Sequence, residues 1–500
     1  MNKVLKGLVA VVSTAAMAIA GFAGAASATA ADTNYDITVP STDTHTYSVY
    51  QVFTGDLSKG TLSNIKAGQN FNKNNTASKS AADAAAEIAQ GTYANNTEKL
   101  AVITPYVDLT GTAFGEVSAK TALSAPAGYY LLKDKDAVTG DDAATLFIVQ
   151  LNGPVTVNRK ADKPTFEKKV KDVNDSTGDK SDWQDSADYD VNDEVPFQLT
   201  ATLPTNEADF AAYKTYKLVF HDQQSAGLTF NEKSVVVKYG DKTLGAGSYT
   251  VEANPADKDT FDITITDAKT VKDADGSAIT VAAGGKFTVE YTSTLNENAV
   301  IGAAGNPNEA SLEFSNNPNV GGEGNTGKTP TNKVIVFTYQ LDINKTFNGG
   351  IPDDNDLPEF TLYKFDSTKK DYTTNLGKVS ITKTADGNYT ASFKRVDDGK
   401  YKLVETKTPA GFNTAADTLF EITADHDVKA DDPKLTSLKI NSTAGNTATG
   451  TVVENVVNQK GSNLPSTGGM GTTVLYAAGA AIVLVAAFGI AFAVRRRNAR

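Results

Sequence analysis

Four groups of residues have types and spacings that could do chemistry. Gly322-Glu323-Gly324-Asn325-Thr326-Gly327-Lys328-Thr329 fits the G-x-x-x-x-G-K-[ST] phosphate-loop pattern. That mechanism needs a strand before the loop and a helix opening at the lysine, so that backbone N–H groups and the helix dipole face the phosphates. Here Pro330 follows at once and Val334 to Phe337 is β-prone, so nucleotide binding is rejected. Asp353-Asp354-Asn355-Asp356 offers oxygen ligands but lacks the glycine and distal glutamate of a calcium loop, and reads as an exposed acidic turn. His45, His221 and His426 are too scattered to suggest a metal cluster or a triad, and no cofactor is implied. The fourth group is Leu464-Pro465-Ser466-Thr467-Gly468, followed by an uncharged run from Val474 to Val494 and by Arg495, Arg496, Arg497 and Arg500. The run, about twenty residues, is long enough for one membrane-crossing helix. The arginines are expected to stay in the cytoplasm, which leaves the pentapeptide on the outer face.

The elements that must position any chemistry are strands. Thr46 to Phe53, Lys286 to Tyr291 and Phe360 to Phe365 alternate apolar and polar residues, the period of half-buried strands in a sandwich. Asp386-Gly387 and Asp398-Gly399 lie between such runs and read as hairpin turns. Ser78 to Gln90, Ala-rich with charges spaced around it, reads as a helical insertion. Lys3 and Lys6, an apolar stretch from Gly7 to about Ala23 and A-x-A sites ending at Ala28 and Ala30 form a secretory signal peptide, residues 1–30. Without that segment and the tail beyond Thr467, the formal charge falls from −12 to −18, because Lys3, Lys6 and four arginines leave with them. So acidic a surface argues against nucleic acid and anionic membranes as partners. There is no cysteine, so an exported chain must be braced by large cores or by another crosslink. Roughly 430 residues are too many for one core. Polar breaks at Asn158–Lys163 and Asn316–Asn332 divide them into 31–160, 161–330 and 331–460, with 461–500 as the terminal segment.

Pentapeptide, span and basic tail, in that order, resemble the cell-wall sorting signal of Gram-positive surface proteins, which sortase cleaves between threonine and glycine, here Thr467 and Gly468. Tyr401-Lys402-Leu403-Val404-Glu405-Thr406-Lys407-Thr408-Pro409-Ala410-Gly411-Phe412 resembles the glutamate box of an immunoglobulin-like CnaB domain. Over its whole length the chain is similar to the major, shaft-forming subunits of sortase-assembled pili. The resemblance implies an all-β fold: tandem immunoglobulin-like sandwiches in an elongated array, CnaB-like, CnaA-like and CnaB-type in turn. It also implies an amide made inside a domain between a lysine and an asparagine on the first and last strands, promoted by an acid. Such chemistry is physically reasonable. Burial lowers a lysine's pKa and frees its amine to attack, and it raises a carboxyl's pKa so that the acid can polarise the asparagine or move a proton.

In the third segment the resemblance assigns Lys345 as nucleophile, Glu405 as acid and Asn455 as acceptor, with Asn458 the alternative because last-strand register is open. In the second it assigns Lys168, preferred over Lys169, Asp222 as acid and Asn316 as acceptor, with Asn308 or Asn317 as alternatives. In the first, Ala125-Pro126-Ala127-Gly128-Tyr129 echoes the end of the box, but Ala122 stands where the acid belongs, so no internal bond is expected. Polymerisation needs an accessible lysine. Val155-Thr156-Val157-Asn158-Arg159-Lys160 lies where related subunits carry V-x-V-Y-P-K, which makes Lys160 the choice and Lys163 the alternative. The implied partners are pilin-specific and housekeeping sortases, neighbouring copies, minor or tip pilins, peptidoglycan and a host or cell-surface ligand. The same features would also serve a wall-anchored adhesin that is not polymerised.

Overall fold

The computed structural model describes residues 33–58, 61–75, 77–90, 102–135, 146–157, 162–317 and 326–461. The architecture is all-β, with sheets gathered around separate apolar cores along the chain. In the N-terminal part, strand Asn34–Thr38 pairs antiparallel with Leu123–Pro126 and parallel with Val155–Thr156. A second sheet runs Thr61–Ala67, Thr46–Ser58, Gly128–Asp134, Leu146–Leu151. The expected helix forms as Ala81–Gln90. Ser80 Oγ accepts from the Asp83 backbone N–H and donates to the Asp83 carboxylate, a cap that satisfies the first turn. Ala81, Ala84, Ala85 and Ile88, one helical face, are buried.

The middle part is a sandwich. One sheet runs Lys242–Thr243, Leu228–Tyr239, Lys286–Leu295, Glu194–Thr202, Thr165–Val170. The other runs Ser186–Asp188, Asn332–Phe337, Asn306–Ser315, Leu218–Gln224, Phe261–Ile265, Thr250–Ala253, with Thr326–Lys328 added to Asn306–Ser315. Glu194–Thr202 and Lys286–Leu295 bury every second residue, as the period-two reading requires. Thr326–Lys328 is strand, so the backbone at this lysine is not that of a phosphate loop.

In the C-terminal part, Tyr339–Asn348 lies between Tyr389–Val396 and the last strand, Thr451–Gln459, to which it is parallel. A facing sheet runs Asp371–Ser380, Glu359–Asp366, Gly399–Lys407, Thr418–His426, Leu435–Ile440, Thr443–Ala444. Asp386-Gly387 does turn a hairpin, between Thr382–Lys383 and Tyr389–Val396, with Gly387 at φ +82°. Asp398-Gly399 does not. Tyr389–Val396 and Gly399–Lys407 belong to different sheets, so the chain crosses the sandwich there, held by Asn174 Nδ2 donating to Asp398 Oδ1 at 2.6 Å. Gly399 has φ +144°, and a Cβ on it would lie 2.6 Å from Ser176 Oγ, so no larger residue fits. Strand Asn332–Phe337, just past the expected boundary near 330, serves two cores. Val334 and Val336 face the middle core, whereas Ile335 and Phe337 face the C-terminal one.

Candidate functional site: two buried lysine–acid–asparagine clusters

Thr165–Val170 turns alternate residues inward, and Phe166, Lys168 and Val170 are the buried set. Lys168 is fully buried, whereas Lys169 points outward and pairs with Asp185 at 2.6 Å. Asp222 reaches Lys168 from the opposite sheet, on Leu218–Gln224, with Lys168 Nζ donating to Asp222 Oδ2 at 2.5 Å. Lys168 Nζ also donates to Tyr291 Oη at 2.8 Å, and Tyr291 Oη donates to Asp222 Oδ2 at 2.7 Å. Burial lowers the lysine's pKa against the pull of Asp222, and burial raises the Asp222 carboxyl against the pull of Lys168. Both shifts favour the neutral pair, an amine beside a carboxylic acid.

The asparagine in this cluster is Asn308. It is fully buried, and its Nδ2 donates to Tyr291 Oη at 2.9 Å. Strand register explains this. Asp222 lies opposite Ala310 and Gln224 opposite Asn308, so Asn308 is two residues from the acid's partner on the same face. Asn316, the acceptor chosen from sequence, is also buried but lies eight residues further along, roughly 25 Å at strand rise. The geometry therefore replaces Asn316 with Asn308 as the residue beside Lys168. Asn317 follows Asn316 and lies beyond the same end of the strand.

In the C-terminal part, Lys345 is 1% exposed on the first strand, Tyr339–Asn348. Its Nζ donates to the carbonyls of Thr346 at 3.0 Å and Val456 at 3.3 Å and lies 4.6 Å from the Phe347 ring centroid. Burial lowers its pKa to about 8, with Glu405 opposing the shift. Asn458, on the last strand, is fully buried and donates from Nδ2 to both Glu405 oxygens at 3.0 Å and to the Asn413 carbonyl at 2.7 Å. Glu405 Oε2 also accepts from the Ala415 N–H at 2.5 Å, which fixes the carboxylate.

Asn455, the acceptor preferred from sequence, is on the other face. It pairs with Asn344 across the parallel ladder, is exposed, and accepts from Asn344 Nδ2 at 2.8 Å. Lys345 pairs with Val456 and Phe347 with Asn458, so period two carries Lys345 and Asn458 into the core and turns Asn455 out. The structure thus brings together Lys345, Glu405 and Asn458. Tyr291 was missed in the sequence reading, although Phe287, Val289 and Tyr291 fall on one face of an alternating strand whose other face carries Lys286 and Glu290.

In the N-terminal part, Ala122 is exposed, and the buried polar side chains among the described residues include His45, Gln51 and Asp134 but no lysine. Lys163 is exposed beside Pro164. Lys160, Leu464, Pro465, Ser466, Thr467, Gly468 and the apolar run from Val474 lie outside the described residues. Among the described residues no helix is long and apolar enough to cross a membrane.

Comparison with known proteins shows what the chain resembles. Residues 191–318 match the Gram-positive pilin backbone subunit 2, Cna-B-like domain, where the sequence reading had expected a CnaA-like unit. Residues 356–434 match the SpaA prealbumin-like fold domain, and residues 456–499 match the LPXTG cell wall anchor motif. The chain is 27% identical over 289 residues to the trypsin-resistant surface T6 protein of Streptococcus pyogenes serotype M6, a match covering 53% of this chain and about half, 46%, of that relative. It shares its fold with the T6 backbone pilin of serotype M6 Streptococcus pyogenes, at TM-score 0.51 and 18% identity over 86% of this chain and 98% of the other. The full-length major pilin SpaD of Corynebacterium diphtheriae aligns at TM-score 0.47 and 19% identity over 86% and 98% of the two chains. These matches, in the order pilin backbone domain, prealbumin-like domain and wall anchor, are those of a secreted, cell-wall-anchored pilus subunit, and make the chain similar to the backbone pilins of Gram-positive pili.

Proposed function

We propose that this backbone pilin is a shaft subunit, joined to its neighbours by sortase and braced internally by two lysine–asparagine amides. The observation that carries the second half is a pair of buried clusters, each holding a lysine, an acid and an asparagine from strands far apart in sequence. In the C-terminal cluster the neutral amine of Lys345 attacks Cγ of Asn458. The Cγ–Nδ2 bond breaks as Glu405, bonded to Nδ2, takes a proton from the attacking lysine nitrogen and passes it to Nδ2, so that ammonia leaves. In the middle cluster Lys168 is the nucleophile, Asn308 the acceptor and Asp222 the acid.

Between subunits, sortase breaks the Thr467–Gly468 peptide bond and holds the threonine carbonyl as an acyl-enzyme. Lys160 of the neighbouring copy attacks it, and Lys163 is the competing choice. A housekeeping sortase would transfer the last subunit to peptidoglycan, and minor or tip pilins would join through the same chemistry. The chain itself is a substrate, not the enzyme. Load entering at Lys160 and leaving at Thr467 would run through both internal amides and past the N-terminal unit, which lies outside that path. The test is a denaturing gel of cell-wall extracts. The expected result is a sortase-dependent ladder lost on Lys160→Ala and kept on Lys163→Ala. Monomer alone in the wild type would overturn the polymerisation reading.

A further inference from the structure

The two clusters differ in how the acid meets the acceptor. In the C-terminal cluster both oxygens of Glu405 touch Nδ2 of Asn458 directly. The middle cluster has an aspartate, one methylene shorter, and its carboxylate bonds to Lys168 and Tyr291. Asn308 Nδ2 instead meets the tyrosine hydroxyl. That hydroxyl donates one hydrogen bond, to Asp222, and accepts two, from Lys168 and Asn308, the full complement of a phenol. All three go to the reacting set. Its ring is fixed on Lys286–Leu295, which is paired on both sides. It stacks on Phe197 at 5.3 Å and meets the edge of Phe261 at 4.9 Å. Burial keeps the phenol neutral, so it has a proton to pass.

We propose that Tyr291 is a catalytic proton relay for amide formation in the middle unit, carrying the proton of Asp222 to the departing nitrogen of Asn308; this rests on the Lys168–Asn308 bond proposed above. Lys168 first gives one ammonium proton to Asp222, leaving an amine and a carboxylic acid. The amine attacks Asn308 Cγ to form a tetrahedral adduct. As the Cγ–Nδ2 bond breaks, Tyr291 Oη passes its proton to Nδ2 and takes the Asp222 proton in return, and ammonia leaves. The new amide nitrogen then returns its extra proton to the Asp222 carboxylate. Protons and charge balance: an ion pair and a primary amide become a secondary amide, ammonia and a neutral acid.

The experiment follows ammonia loss from the newly made full-length chain by intact mass after a short pulse of synthesis. The wild type is expected to lose two ammonias. Tyr291→Phe is expected to lose the C-terminal one at the wild-type rate and the middle one about 100-fold more slowly or worse, the scale of general acid catalysis. Loss of both at the wild-type rate overturns the relay and leaves the bond reading intact. If the wild type loses only one ammonia and Lys168→Ala still loses it, the bond reading fails, and the relay with it. Should Tyr291→Phe misfold, seen as delay of the C-terminal loss too, 3-fluorotyrosine placed at 291 keeps the ring shape and acidifies the phenol. A changed rate then supports the relay, and an unchanged rate overturns it.

Discussion

At the scale of residues, the chemistry depends on holding a lysine where water cannot pay for its charge. Lys345 has a pKa of about 8 in the fold against an ordinary value of 10.5, so roughly a tenth is neutral amine at pH 7. The linkage has a definite sign. Between pH 8 and 10.5 the unfolded chain holds the proton that the folded chain has lost, so the penalty is full below pH 8 and disappears as pH rises to 10.5. Bond formation removes the titrating group, so the effect is seen only when the acceptor is deleted. We expect Asn458→Ala to gain up to about 3 kcal/mol over that window relative to Asn458→Ala with Lys345→Met, measured by chemical denaturation. Parallel pH curves for the two variants would contradict it. The inward positions of Lys168, Lys345 and Glu405 could be read from alternation within their strands, whereas Asp222 lies on a strand buried on both faces. The asparagines could not, because Asn455 and Asn458 differ in parity and only pairing with the first strand says which parity faces in. Tyr291 passed as an ordinary core aromatic, since nothing in its own strand marks the polar groups that reach it from the other sheet.

At the scale of elements, each proposed amide ties the opening strand of its part to one far along the chain, and in the C-terminal part to the last strand. Lys345 and Asn458 close a loop of roughly 110 residues, worth about 4–5 kcal/mol if chain entropy scales as for a disulfide. Asn458→Ala should lower C-terminal stability by at least that amount at neutral pH, where the Lys345 burial penalty adds to it, visible as an earlier unfolding transition in calorimetry. Asn455→Ala, an exposed change, should leave that transition within about 0.5 kcal/mol of wild type. Strand positions were legible because most are half-buried and keep period two, and the helix was legible because its alanines and spaced charges give it one buried face. The Asp398-Gly399 turn misled because a tight glycine turn can link strands within one sheet or across two. Its true geometry is set by the distant Asn174 and Ser176.

At the scale of the whole molecule, the middle and C-terminal parts are joined by more than the chain. Lys364, fully buried, pairs with Asp190 of the middle part at 2.7 Å and with Asp175 at 3.1 Å, as well as with Asp397 of its own part. Although burial opposes its charge, these carboxylates hold its pKa well above the ordinary lysine value. Ser186 Oγ meets His426 Nδ1 at 2.7 Å across the same seam, and Arg395 Nε donates to the Ala299 carbonyl at 3.0 Å. Removing the cation strands buried acids, so Lys364→Ala should cost about 3–5 kcal/mol, read as a lower denaturation midpoint. An unchanged midpoint would show that the seam is solvated. None of this was legible in the sequence, because the partners of Lys364 across the seam, Asp175 and Asp190, come from nearly two hundred residues away.

The most direct measurement is tandem mass spectrometry of proteolytic peptides from the purified pilin. The predicted result is two branched peptides, one joining Lys345 to Asn458 and one joining Lys168 to Asn308, each lighter than its parts by one ammonia. Recovery of these four residues only in linear, unmodified peptides would contradict the account.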